Sequence, residues 1–467
     1  MADRPLWQLS ACELSEKTSS GEVSATDATE SVLARVAEKN PHLNAIVMDL
    51  SDEARADAKR LDETLAKSGP VGPLHGVPVT IKVNIDQKDY ATTNGVTAFK
   101  DMIAPDNSPV VNNLKKAGAV VIGRTNTPEF SFRGSTDNEL HGRTYNPWND
   151  WASAGGSSGG AGSAVMAGMG AMGHGNDIAG SVRYPSTTNG ATSVKPGFGR
   201  VPAWNPSQKA ERGLVAQLMS VQSVLCREVR DVRLGLESLV QYDAHDPWMV
   251  PLPIKDPFNE GKVIGKPKVA FTKNTFEFDL HPEVEKALDT ARDALVDEGY
   301  EVEEAEPPLT RDIARDAART LFGEVKIMMD ADVRKYGSKD INGVFDAYYE
   351  LMPPFEGDDL IRAMAQRSYY VRQWQLFMEK YPLVLTPFMP GLTWAWDRDL
   401  QGLEGARDVL EAGVYSISIN FLGLPAGNVP ANYNGGLPVG IQIIGKRFRE
   451  DMVLDACEAA AVAICLL

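Results

Sequence analysis

Residues 153–186 read SAGGSSGGAGSAVMAGMGAMGHGNDIAGSVRYPS, with ten glycines and two serine-bearing glycine clusters whose serines, Ser157 and Ser181, stand 24 residues apart. Glycine costs about 0.5–1 kcal/mol relative to alanine wherever regular structure would serve. So many together predict backbone that turns tightly or lies close to a phosphate, a developing anion or another strand. The intervening AGSAVMAGMGAM (161–172) carries small residues all round, and as a helix it would have to be a tightly packed interior one.

Working outward, GPLHGVPVTIKVNID (72–86) holds the β-branched run Val77–Val83 bounded by glycine and proline, which predicts a buried strand with Lys82 near its end. AGAVVIGRTNTPEF (117–130) predicts a second buried strand running into a loop, and KVAFT (268–272) a third. SATDATESVLARVAEKN (24–40) opens with Ser24 three residues before Asp27 and spaces Val32, Leu33, Val36 and Ala37 on one face, an amphipathic helix. A second such helix is predicted over 281–300. Strands alternating with helices indicate an α/β layer architecture on a mixed or parallel sheet. With no internal repeat and no linker-like stretch, the 467 residues read as a single domain.

Composition narrows the function. A formal net charge of −16 and no basic stripe interleaved with aromatics oppose nucleic acid as a partner. No apolar run approaches the length that spans a bilayer, so no membrane is implied. The opening residues lack a basic start and an apolar core, which makes the cytoplasm the expected location. Cys12, Cys226, Cys457 and Cys465 form no CxxC and no cluster with histidine, which argues against zinc and against a disulfide framework. They read as buried or idle thiols. Residues 321–380, with YYELMPPF and RSYYVRQWQLF, are helical in period and rich in aromatics. They fit a core helix pair or a cover over an apolar binding pocket.

GGSSG and GSSGG both satisfy G-x-S-x-G, but a nucleophile elbow needs a strand before it, a helix after it and a histidine base. SAGG is no strand, and nothing around the six histidines selects one of them. GIQIIGKR (440–447) is close to a P-loop, but Arg447 stands where Ser or Thr would hold magnesium and IQII reads as a strand. Serine chemistry with another base remains. Ile178, Ala179 and Gly180 before Ser181 could aim several backbone N–H groups at one point, as an oxyanion hole does, with Ser181 as nucleophile. A buried lysine could accept its proton if neutral; bringing a lysine from 10.4 to about 7 costs roughly 4–5 kcal/mol of differential solvation. Lys82, among valine and isoleucine, fits that description, as it also fits a strand lysine that snorkels to water.

Lys82, GGSSGG (155–160) and DIAGSVR (177–183) together resemble the amidase signature family, whose pattern is a strand lysine, G-G-S-S-G-G and then D-x-G-G-S-x-R. The likeness extends through RTNTPEF, HGRTYNPW, VKPGFGRVP, LTPFMP, GLPAGNVP and GLPVGIQIIG. It implies a large mixed, twisted sheet covered by helices on both faces, with a signature core at about 70–225 and a helical, aromatic-rich, substrate-covering region at about 300–400. It also implies a triad: Ser181 as nucleophile, Ser157 after a cis peptide as proton relay, and neutral Lys82 as final acceptor. Asp177, Arg183 and Ser158 would support it, although Asp177 and Arg183 also fit a plain surface ion pair. Phe130 and Ser131, at the end of the RTNTPEF match, are the candidate substrate contacts.

Three departures stand out. Val83 replaces the usual aspartate after the lysine, which removes that carboxylate's role or moves it to Asp86. Ala179 replaces the first glycine of the oxyanion turn, and HGND replaces the commoner G-T-D, a variant that resembles amidases acting on nylon-type oligomers. The expected activity is an amidohydrolase with no cofactor and no metal, acting on a small amide with an apolar or aromatic portion. Anilides and carbamates (a urethanase) are open to the same chemistry, and a homo-oligomer is compatible with it. The alternatives are the amidotransferase subunit that supplies ammonia from glutamine for tRNA transamidation, and a non-catalytic binding protein of the same fold.

Overall fold

The computed structural model describes residues 4–255, 257–258, 265–434 and 436–461. Cys465, expected as a buried or idle thiol, lies outside them; Cys226 and Cys457 are buried and Cys12 half-buried, all as free thiols. The strands are β1 (Ile46–Asp49), β2 (Pro78–Lys82), β3 (Val120–Thr125), β4 (Met172–Asp177), β5 (Thr192–Lys195), β6 (Val221–Cys226), β7 (Val269–Phe271), β8 (Val302–Glu304), β9 (Leu383–Pro387), β10 (Ala426–Asn434) and β11 (Leu437–Gly445). All eleven join one sheet in the order β1-β3-β2-β4-β6-β5-β10-β11-β9-β7-β8. β2 runs parallel to β3 and β4, and β7 parallel to β8 and β9. The remaining neighbours are antiparallel, so the sheet is mixed, as the alternation of elements predicts.

Alternation along the strands sends side chains to two layers. Leu383, Leu385, Val269 and Phe271 join a core with residues of the Pro282–Asp297 and Glu450–Ala460 helices. Val384 and Ala270 point the other way, into a core shared with the Thr310–Met328 and Val414–Leu422 helices. β2, β3, β9 and β11 are buried at every position, as strands covered on both faces are. The predicted helix at 24–40 spans Ala25–Leu43, and Ser24 Oγ accepts the Asp27 N–H at 2.9 Å. GIQIIGKR lies largely within β11 and forms no phosphate loop.

The small-residue stretch 161–172 is helical only in its first half, where it belongs to the buried Gly159–Met166 helix; the chain then turns, and Met172 opens β4. A Cβ on Gly160 would lie 2.5 Å from the Asn126 backbone nitrogen, so the helix seats directly on neighbouring main chain. The aromatic-rich region divides. In the Gly357–Lys380 helix, Tyr370, Trp374 and Met378 are buried in the core, and Trp374 Nε1 donates to Pro308 O at 2.9 Å. Leu321 and Phe322 of the Thr310–Met328 helix and Tyr348 of the Lys339–Leu351 helix face a cavity beside Ser181. Among the described residues no helix is long and apolar enough to cross a membrane.

Candidate active site

Lys82 ends β2 with its side chain wholly buried, so it does not snorkel to solvent. Its Nζ lies 2.7 Å from Ser157 Oγ, 3.0 Å from Ser158 Oγ and 2.9 Å from Asn176 Oδ1. Burial drives its pKa well below the ordinary lysine value, with Asp177 the opposing charge. The Gly156–Ser157 peptide is cis. A Cβ on Gly156 would overlap Arg133 O, so only glycine lets the chain pass there. No strand precedes Ser157 and the helix begins two residues later at Gly159, which leaves the elbow reading without its geometry. The Ser158 N–H donates to Ser181 O at 3.0 Å, tying the two glycine clusters together.

The Ser181 turn is built around a buried ion pair. Arg183 Nη2 meets Asp177 Oδ1 at 3.0 Å with neither side chain exposed, so the surface-pair reading is overturned. Arg183 also donates to Gln442 Oε1 at 2.8 Å, to Ser416 O at 3.0 Å and to Asn420 Oδ1, locking the turn to β11 and to the Val414–Leu422 helix. Burial alone would raise the Asp177 carboxyl; the Arg183 guanidinium and the Gly180 N–H bring it below the usual carboxylate range. That amide corrects one expectation. Gly180 N–H donates to Asp177 Oδ1 at 2.7 Å, so it is engaged by the carboxylate and is not an oxyanion donor. Val182 N–H is held the same way at 3.1 Å. Gly180 has φ +114°, which explains the glycine, whereas Ala179 is not among the residues of positive φ and its methyl is tolerated.

Ser181 sits between two cavities. The larger, about 440 Å³, is lined by Ser157, Ser181, Asn176 and Ile178, and farther out by Asn205 and Arg212. The smaller, about 90 Å³, is lined by Ser181, Ile178 and Ala179 against Phe132, Phe322 and Tyr348. Phe130 and Ser131 both line the larger cavity, in left-handed backbone at φ +53° and +60°. The Ser131 hydroxyl is already committed to Asn84 at 3.0 Å, Asn94 at 2.7 Å and Thr127 at 3.0 Å. Asp86 lines neither cavity; it accepts from Ser207 N at 2.6 Å and from Ser207 Oγ at 2.9 Å, fixing the loop that walls the larger one.

No histidine lines either cavity, and burial pushes His141 down to about 4 and His174 down to about 3. Among the described residues no group of three or more His, Cys, Asp or Glu side chains could hold a metal ion. Sequence reasoning passes over Asn176 and Asn84. The signal for Asn176 is the HGND variant, which puts a carboxamide next to Asp177 at the end of the strand paired with β2.

A protein-family model described as Amidase matches residues 27–454. An indoleacetamide hydrolase of Bradyrhizobium diazoefficiens is 45% identical over 97% of this chain and 86% of its own length. A subunit of the glutamyl-tRNA(Gln) amidotransferase of Geotalea daltonii is more distant, 30% identical over 97% of each chain. The solved structure of a 6-aminohexanoate cyclic dimer hydrolase complexed with substrate superposes with a TM-score of 0.84 at 26% identity, covering 98% of this chain and 97% of that one. The chain belongs to the amidase family, with the amidase signature fold, and its reaction is hydrolysis of an amide C–N bond.

Proposed function

We propose that this amidase hydrolyses a small arylacetamide-type amide through an acyl enzyme on Ser181. The observation that carries the reading is the fully buried Lys82 amine, 2.7 Å from Ser157 Oγ, beside the serine that lines both cavities. Ser181 Oγ attacks the carbonyl carbon as Ser157 Oγ takes its proton and passes its own to Lys82 Nζ. The amides of Ile178, Ala179 and Ser181 hold the oxyanion, Gly180 being spent on Asp177. The Lys82 ammonium then returns a proton through Ser157 to the leaving nitrogen, the C–N bond breaks, and water cleaves the ester by the same relay.

The leaving nitrogen must face Ser157, which lines only the larger cavity. The acyl group therefore takes the smaller one, walled by Phe132, Phe322 and Tyr348, where an aryl ring packs against apolar surface. The name of the 45%-identical relative points to the same arylacetyl group. Helices of the 310–351 region thereby cover the acyl side. Anilides and carbamates with a small aryl acyl group follow the same steps.

The test is a hydrolysis panel of indole-3-acetamide, phenylacetamide, acetamide and glutamine. Arylacetamides turned over with kcat/KM at least tenfold above acetamide and glutamine support the reading. Glutamine as the best substrate would move the chain to ammonia supply for transamidation.

A further inference from the structure

We propose that Asn176 and Asn84 are positioning residues for the Lys82 base: a carboxamide pair that turns the amine's lone pair toward Ser157 and sets no charge beside it. The inference rests on the reading of Lys82 as proton acceptor. A neutral amine has two N–H bonds and one lone pair, and Lys82 Nζ has three partners. Asn176 Nδ2 donates to Asn84 Oδ1 at 3.0 Å, and Asn84 Nδ2 returns a hydrogen to Asn176 Oδ1 at 3.2 Å. Ser131 Oγ gives its hydrogen to Asn94 Oδ1 at 2.7 Å, so Asn84 must turn its Nδ2 to Ser131 at 3.0 Å, and the reciprocal pair then faces the lysine with the oxygen of Asn176, which can only accept. It takes one amine N–H at 2.9 Å, and Ser158 Oγ takes the second at 3.0 Å. The lone pair is left for the shortest contact, Ser157 Oγ at 2.7 Å.

Burial holds the amine neutral, and the charged and titratable groups around it are engaged elsewhere, which leaves this neutral pair to set the direction of its lone pair. From β4 come Asp177, held by Arg183 and the turn amides, and His174, which burial keeps neutral at about 3. From β3 comes Arg124, whose guanidinium is turned to the carbonyls of Ala91 and Ile85. The Gly159–Met166 helix brings no titratable side chain. Val83, next along from Lys82, is apolar and fully buried. The pair also reaches the substrate wall. Asn84 Nδ2 donates to Ser131 Oγ at 3.0 Å and Ser131 Oγ donates to Asn94 Oδ1 at 2.7 Å, and all four residues of this chain line the larger cavity. The amine is thus aimed by a hydrogen-bonded chain that starts where substrate lies.

The experiment is the pH profile of kcat/KM of the full-length enzyme on an arylacetamide. Asn176→Asp puts a carboxylate against the amine and favours the ammonium. An opposite charge within about 4–6 Å displaces a pKa by roughly 1–3 units. The rising limb should move up by about that much, costing roughly tenfold in kcat/KM per unit at pH values below it. Asn84→Asp, with its charge one carboxamide farther away, should move the limb in the same direction by less. Asn176→Thr keeps a neutral acceptor and should keep the wild-type limb, with any loss falling on kcat and not on KM. A merely structural role lowers the yield of folded enzyme without displacing the limb. Active Asn176→Asp and Asn84→Asp enzymes with the wild-type limb overturn the proposal, and so does Asn176→Thr displacing it as far as aspartate does. If Asn176→Asp does not fold, Asn84→Asp decides. Lys82→Gln separates the two levels: if it keeps the limb, the reading of Lys82 as base fails; if it abolishes the limb while the aspartate variants leave it unmoved, only this inference fails.

Discussion

Arg183→Met tests how far the Ser181 turn depends on its buried ion pair. Methionine keeps much of the stem's packing beside Phe388, whose ring lies 5.6 Å from the guanidinium carbon, and removes the charge. Asp177 is left buried with three backbone amides, those of residues 180, 182 and 183, and no cation at 3.0 Å. Removing one partner of a buried pair costs about 3–5 kcal/mol. At about 2.1 cal/mol/K per residue, unfolding a chain of 467 residues carries an entropy near 1 kcal/mol per kelvin, so Tm should fall by about 3–5 °C. The pH dependence carries a sign. In the wild type the Asp177 pKa is depressed, so its contribution is complete above the unfolded value of about 3.9 and is lost only as pH falls through the lower, folded value. Without Arg183, burial dominates and raises that carboxyl, so the variant binds a proton more readily when folded and its deficit shrinks as pH drops from 8 toward 5. Thermal melts of both proteins at pH 5 and pH 8 check this. An unchanged Tm at pH 8, or a deficit that grows on acidification, refutes the reasoning.

Three further outcomes follow from the same geometry. Lys82→Gln should lower kcat/KM by at least the 10²–10⁴ typical of losing a general base and abolish the rising limb, which in the wild type should lie well below the ordinary lysine value because burial favours the neutral amine; pH–rate profiles of the two enzymes decide. Gly180→Ala places a Cβ against Ser416 Oγ at φ +114° and should cut kcat at least tenfold by shifting the Ser181 turn, measured on an arylacetamide. Ala179→Gly should leave kcat/KM within about threefold, since Ala179 needs no left-handed backbone and its N–H is kept.

Much of this site is legible in the chain because its chemistry depends on rare local features. The glycines around Ser157 and Ser181 mark close backbone approach, and the structure places Gly156 against Arg133 O and Gly180 in positive φ. The β-branched run at 77–83 gives β2, and the alternation of elements gives a mixed sheet. What the chain does not display is which polar groups meet across distant elements. Lys195 is also a fully buried strand lysine, brought by burial to about 7, yet its amine donates to Pro196 O and lines neither cavity. Strand position alone therefore cannot separate it from Lys82; the parallel register of β2 and β4 does. The engagement of the Gly180 amide by Asp177, the depth of the Asp177–Arg183 pair and the Asn84–Asn176 carboxamides likewise depend on tertiary contacts that no spacing encodes.

In the proposed mechanism Ser181, relayed through Ser157 to Lys82, carries the acyl group. Active-site labelling tests it most directly: the wild type is treated with a fluorophosphonate, digested, and the modified peptide is read by mass spectrometry. A single adduct on Ser181 is expected, with no adduct and no turnover in Ser181→Ala and strongly slowed labelling in Lys82→Gln. An adduct on Ser157 or Ser158 with Ser181 unmodified, or a Ser181→Ala enzyme that still hydrolyses amides, would contradict it.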